Sequence, residues 1–222
     1  MNSSLKFLLP IVLATAFCAT ASQAATVIPN DLQNGATESD TAQLFAEQTG
    51  VSVADDEVEV DYRLGENMVV GGTYDGVTNF SSGEDLGAGT YDSYLIHFDP
   101  VGSNATSGSF TFATDIVAII LSNGTGNTDP TSPNGLLNKS NSTFGIATTT
   151  YEDHVGRRAE GPNADTFTLV NANTLSYDLW ANNTHIDNIR VITAAVPLPA
   201  GALLLLSGVG GLALMRRRRK SA

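Results

Sequence analysis

Apolar and polar positions alternate with period two over several short stretches of this chain. The alternation is plain at Val51-Ser52-Val53, at Val58-Glu59-Val60-Asp61-Tyr62, over residues 91–98, and at Ser109-Phe110-Thr111-Phe112. Successive side chains of a strand point to opposite faces, so each stretch predicts a strand with one face toward a core. Residues 116–121 are apolar throughout, which predicts a strand buried on both faces. Residues 143–149, 165–170, 174–179 and 185–192 add further strands, and Met68-Val69-Val70 runs into Gly71-Gly72. Turn chemistry separates them at Asp55-Asp56-Glu57, Asp99-Pro100-Val101-Gly102, Asn171-Ala172-Asn173 and Asn182-Asn183. Residues 122–142 are rich in Asn, Gly, Pro, Ser and Thr and read as a long loop. One segment departs from the strand pattern. Ser39 or Asp40 can cap a short helix over residues 41–48, and Gly50 suits its end. Many short strands and one short helix predict an all-β chain: an antiparallel β-sandwich, jelly-roll-like, with a short N-terminal helix. A parallel β-helix is the alternative, and no fixed-period repeat supports it.

Both ends of the chain break this pattern. Residues 1–24 read as a secretory signal peptide: Lys6, an apolar stretch over 7–21, then the small-x-small site Ser22-Gln23-Ala24. Signal peptidase would cut between Ala24 and Ala25; an uncleaved anchor is the alternative. Cys18 is the chain's one cysteine and lies inside the signal, behind Phe17, which does not suit a lipobox. The mature chain therefore carries no thiol and no disulfide. At the other end, residues 196–222 hold three parts in order. Val196-Pro197-Leu198-Pro199-Ala200 comes first, then an uncharged apolar run, then Arg216, Arg217, Arg218, Arg219 and Lys220. The run over about 198–215 is near the lower limit for crossing a bilayer core of about 30 Å as a helix. The basic block stays cytoplasmic, so the rest of the chain is expected on the other side of the membrane. Pro197 and Pro199 hold the segment before the span extended and open to a protease.

That order of motif, span and basic block resembles the PEP-CTERM class of bacterial sorting signals, in the variant called VPLPA-CTERM. Leu198 stands where the parent motif has Glu, which leaves the exosortase subtype open. The resemblance implies recognition by an exosortase, an integral-membrane cysteine transpeptidase-like enzyme that cuts near the motif. It implies a Gram-negative bacterium that makes exopolysaccharide, and release or re-anchoring of the protein outside the cell. The stretch from Asp92 to Ser103 with Ser109-Phe110-Thr111-Phe112, Gly156-Arg157-Arg158-Ala159-Glu160 and Ile189-Arg190-Val191-Ile192 is similar to a domain recurrent in such sorted proteins. That likeness covers roughly residues 38–193 and adds no chemistry.

Removing both ends leaves residues 25–195, a length that suits one domain. It holds all 23 acidic residues but only Arg63, Lys139, Arg157, Arg158 and Arg190 as cations, so its net charge is −18 against −12 for the whole chain. Such a surface repels nucleic acid and anionic lipid, and draws divalent cations. Self-repulsion should weaken the fold at low salt. Asp55, Asp56, Glu57, Asp99 and Asp129 could offer oxygens to calcium, the one cofactor worth weighing, but they form no EF-hand loop or nonapeptide repeat. His97 alternates with Ile96 and Phe98 and reads as structural. His154 stands near Glu152, Asp153 and Arg157 with no nucleophile motif beside it, and His185 with Asp187 reads as a cross-strand polar pair. Arg157, Arg158 and Glu160 could meet an acidic sugar, and internal pairing is the simpler reading. Asn79, Asn104, Asn123, Asn138, Asn141 and Asn182 fall in Asn-x-Ser/Thr triplets and read as turn residues. Tyr177 and Trp180 could stack on a sugar, but one strand places them on opposite faces.

These observations lead to an exported, non-enzymatic surface or matrix protein, without a catalytic or cofactor-binding site. It would pass through a single-pass membrane intermediate and end at the cell surface or in the extracellular matrix. Its expected partners are signal peptidase, an exosortase, the inner membrane before processing, and an exopolysaccharide; nucleic acid is not among them. A carbohydrate-binding module is the second reading and a secreted hydrolase the third.

Overall fold

The structure, a computed structural model, describes residues 24–33, 35–75, 84–121, 134–151, 165–181 and 186–196. In chain order the elements are β1 (Thr26–Val27), β2 (Asp31–Leu32), β3 (Gln43–Ala46), β4 (Val51–Val53), β5 (Glu59–Val60), β6 (Tyr62–Arg63), β7 (Thr73–Asp75) and β8 (Glu84–Asp85). There follow β9 (Gly89–Phe98), β10 (Asn104–Thr111), β11 (Ile116–Leu121), α1 (Asn134–Phe144), β12 (Thr150–Tyr151), β13 (Thr166–Asn171), β14 (Thr174–Ala181) and β15 (Asp187–Ala194). The chain is all-β, with several sheets and one helix among the described residues.

The larger sheet has seven strands in the order β1-β3-β9-β15-β11-β6, with β4 also on β9. A second sheet has the order β10-β14-β13-β7. The long pairs are antiparallel, while β1–β3 and β2–β12 pair in parallel. Alternation along each strand decides what each face meets. Leu44, Ile96, Phe98, Ile119, Leu121, Ile189 and Val191 of the larger sheet share one buried cluster with Phe110, Phe167, Leu169, Leu175, Tyr177 and Leu179 of the second. Tyr62, Tyr74 and Phe167 meet there with ring centroids 4.9–5.4 Å apart. The opposite face of the larger sheet carries Ala118, Ile120 and Ile192, packed under Leu136, Leu137 and Phe144 of α1. Beside them Phe45 and Leu95 pack with Ile28 and Leu32.

Three expectations need correction. Residues 41–48 are not a helix; their centre is β3, paired with β9 through Leu44↔Ile96 and Phe45↔Leu95. Ser39 does act locally, but it closes a turn by accepting the Thr41 amide rather than capping a helix. The one described helix, α1, begins inside the stretch read as loop and runs to Phe144, and the rest of the strand expected at 143–149 is turn leading into β12. Met68 forms an isolated bridge with Leu64. The turn at residues 55–57 holds, with Asp56 at φ 58°.

Because Phe110 is fully buried between the two sheets, Phe110→Ala should cost residues 25–195 about 3–5 kcal/mol. Val170 is 50 % exposed, and Val170→Ala should stay within about 0.5 kcal/mol. Urea unfolding checks both, and equal effects would mean that the shared cluster is not the core.

Candidate functional site

Among the described residues a buried ion pair lies on the α1 side of the larger sheet. β15 alternates so that Ile189 and Val191 enter the shared cluster and Arg190 points the other way. Arg190 is fully buried, and its partner Glu47, just past the end of β3, is nearly so. The pair is bidentate: Nε reaches Glu47 Oε2 and Nη2 reaches Oε1, each at 2.7 Å. Nη2 also donates to Asn141 Oδ1 at 2.7 Å, and Nη1 to the Leu137 carbonyl at 3.1 Å and to the Ser140 hydroxyl. All five guanidinium N–H donors are therefore used. Glu47 in turn accepts the Ser93 hydroxyl at 2.6 Å and the Tyr151 hydroxyl at 2.9 Å.

Burial is the strongest single influence on Arg190 and opposes its charge, but the charge and hydrogen bonds of Glu47, with those of Tyr151, together outweigh it, so the guanidinium is held more firmly protonated than usual. Burial, with the Glu47 charge second, pushes the Tyr151 phenol well above its ordinary range. Neither group can exchange a proton at physiological pH. The arrangement is a structural tie among β3, β9, β15, α1 and β12. Sequence reasoning counted Arg190 among the few cations and noted it within the recurrent-domain likeness, but gave it no partner. The available signal was a cation among apolar residues of a core strand, which obliges a buried carboxylate partner.

A cleft of about 220 Å³ opens beside this tie, lined by Asp56, Glu57, Val58, Glu59, Leu136 and Ser140. It brings two of the calcium candidates, Asp56 and Glu57, next to α1. Glu57 Oε2 already accepts the Ala54 amide at 2.7 Å. Asp99 is placed elsewhere, its Oδ2 accepting the Gly35 amide at 2.9 Å and the Thr37 amide at 3.4 Å. Asp61, Asp92 and Asp165 likewise accept the backbone amides of Leu121, Gly50 and Trp180. Glu57, Asp61, Asp92, Asp99 and Asp165 thus each hold a backbone amide. Among the described residues no three His, Cys, Asp or Glu side chains converge to hold a metal ion.

His97 is fully buried, with Nδ1 2.7 Å from Asn188 Oδ1 and Nε2 2.7 Å from Thr37 Oγ1. Both ring nitrogens are engaged in tying residue 37 to β9 and β15. Asp187 is buried at the start of β15. Tyr177 stacks on Phe110 at 5.2 Å inside the shared cluster, and Trp180 lies on the other face of β14, so the two form no common platform. Asn104 opens β10, and Asn141 serves Arg190. Ala24 and Ala25 directly precede β1, and Val196 lies two residues past the end of β15 and is exposed. His154, His185, Arg157, Arg158, Glu160, Asp129, Asn79, Asn123 and Asn182 lie outside the described residues, as do Pro197 to Ala200 and Arg216 to Lys220. Asn138 lies in α1, its side chain outside the description. Among the described residues no helix is long and apolar enough to cross a membrane; the expected span lies beyond them. Compared with known proteins, the chain matches no family model, no characterised protein and no solved structure.

Burial lowers the His97 pKa from its ordinary 6.5, while the Asn188 hydrogen bond and Asp99 oppose the shift less strongly. The unfolded chain therefore binds the proton first, so this contribution is present above about pH 6.5 and is lost as pH falls toward the folded value. His97→Gln should remove that part of the pH dependence. Urea unfolding of both proteins between pH 5 and 8 checks it. Parallel stability curves would show that His97 does not titrate on unfolding.

Proposed function

We propose that the protein is an exported, non-enzymatic surface or matrix protein, processed at both ends and sorted through its VPLPA-CTERM tail. The observation that carries this reading is where the strands start and stop. β1 begins at Thr26, two residues after Ala24, and β15 ends at Ala194, two residues before Val196. Every strand of the described residues lies between the two proposed signals, which supports a domain whose sheets do not draw on either of them. The architecture we propose is a β-sandwich, supported by the single apolar cluster that the two larger sheets share.

A non-enzymatic role is supported by how the polar interior is used. His97, Arg190, Glu47, Asp99 and Asp92 each hold backbone or side chains in place. An exopolysaccharide as partner, and the Gram-negative surface as destination, come from the resemblance of the tail.

Replacing both Pro197 and Pro199 with Ala should leave the protein uncut at the inner membrane, because helix can then extend through the recognition segment. Cell fractionation with a mass measurement of the surface form checks this. Processing like wild type would replace the sorting reading with a plain membrane anchor.

A further inference from the structure

β15 lies between β9 and β11, and its neighbours hold it to its last residue. The Ala194 amide donates to the Asp115 carbonyl at 3.0 Å, and the Ala195 amide to the Thr90 carbonyl at 3.2 Å. The Thr114 hydroxyl donates to the Ala194 carbonyl. Val196, the first residue of the motif, is 53 % exposed. The motif thus begins one residue beyond the last backbone tie to the sheet.

This leaves little slack. An extended chain gains about 3.5 Å per residue, so the three steps from Ala195 to Leu198 cover about 10 Å. One end of that interval is bound to the sheet, and the other enters the expected span. An enzyme that cuts an extended segment takes residues on both sides of the bond into its cleft, where they exchange their former partners for the enzyme's own.

We propose that the end of β15 is a clamp on the sorting motif: Thr90, Thr114 and Asp115 must release Ala194 and Ala195 before the motif can be cut. The proposal rests on the sorting reading above. Strand ends open at low free energy without global unfolding, so the clamp slows the cut and makes its rate depend on the folded domain. In the cut itself the peptide C–N bond breaks and the acyl carbon passes to the enzyme's thiol. The thiol proton goes to the leaving amine, and water or an acceptor amine then takes the acyl group.

The test follows processing of the full chain by pulse-chase and mass measurement in cells that export and cut it. Three variants are compared: Thr114→Val, a six-residue Gly-Ser insertion between Ala195 and Val196, and the Pro197→Ala, Pro199→Ala pair. Thr114→Val removes one hydrogen bond at nearly constant shape and should speed processing about fivefold. The insertion supplies slack and should speed it at least as much. Unchanged or slower processing in both, with the proline pair still blocking the cut, would overturn the clamp and leave sorting intact. Normal processing of the proline pair would remove the sorting reading, and the clamp with it.

Discussion

The buried Arg190–Glu47 pair is the constraint on which the rest of this structure depends. Taking two charges out of water costs several kcal/mol for each ion, recovered only where geometry and hydrogen bonding are complete. Here they are complete, and completeness demands that distant segments arrive together. Glu47 must come from the end of β3, Arg190 from β15, Ser93 from β9, Tyr151 from β12, and Leu137, Ser140 and Asn141 from α1. The pair also fixes register. Arg190 stands opposite Leu95, and a one-residue slip would turn its guanidinium into the apolar cluster between the sheets.

Much of the strand pattern was legible because its cause is local. The alternation at residues 91–98, the apolar run at 116–121 and the Asn-rich turn at 171–173 give β9, β11 and the β13–β14 hairpin directly. Residues 41–48 show where local reading stops. Their cap-like Ser39 and Asp40 and helix-forming residues suggested a helix, yet pairing of Leu44 and Phe45 with β9 buries both side chains. Non-local pairing overrode propensity. α1 is the converse. Asn134–Phe144 has no acidic residue in its first turn and no basic residue in its last, and its Asn and Ser residues favour turns, so the helix signal in the sequence reduces to Pro133 before it and Gly145 after it. Leu136, Leu137 and Phe144 on the sheet, with three acceptors on Arg190, hold it there.

The same division applies to the polar residues. The structural role of His97 followed from its place in an alternating strand, but its partners Thr37 and Asn188 are 60 and 91 residues away in sequence. The tie at Arg190 spans 143 residues to Glu47, and no motif announces it. The ends of the chain are different again. The signals proposed there are linear patterns, so reading them needs no fold, and nearly all of their residues lie outside the described ones.

A double-mutant cycle on Arg190 and Glu47, read by urea unfolding together with amide exchange in α1, tests this account most directly. Arg190→Met and Glu47→Gln should each cost about 3–5 kcal/mol by leaving a buried polar group unpaired, and each should strip protection from α1. The double variant should recover a coupling energy of about 2 kcal/mol or more. Additivity within about 0.5 kcal/mol, with α1 as protected as in wild type, would contradict the claim that this pair holds the layers together.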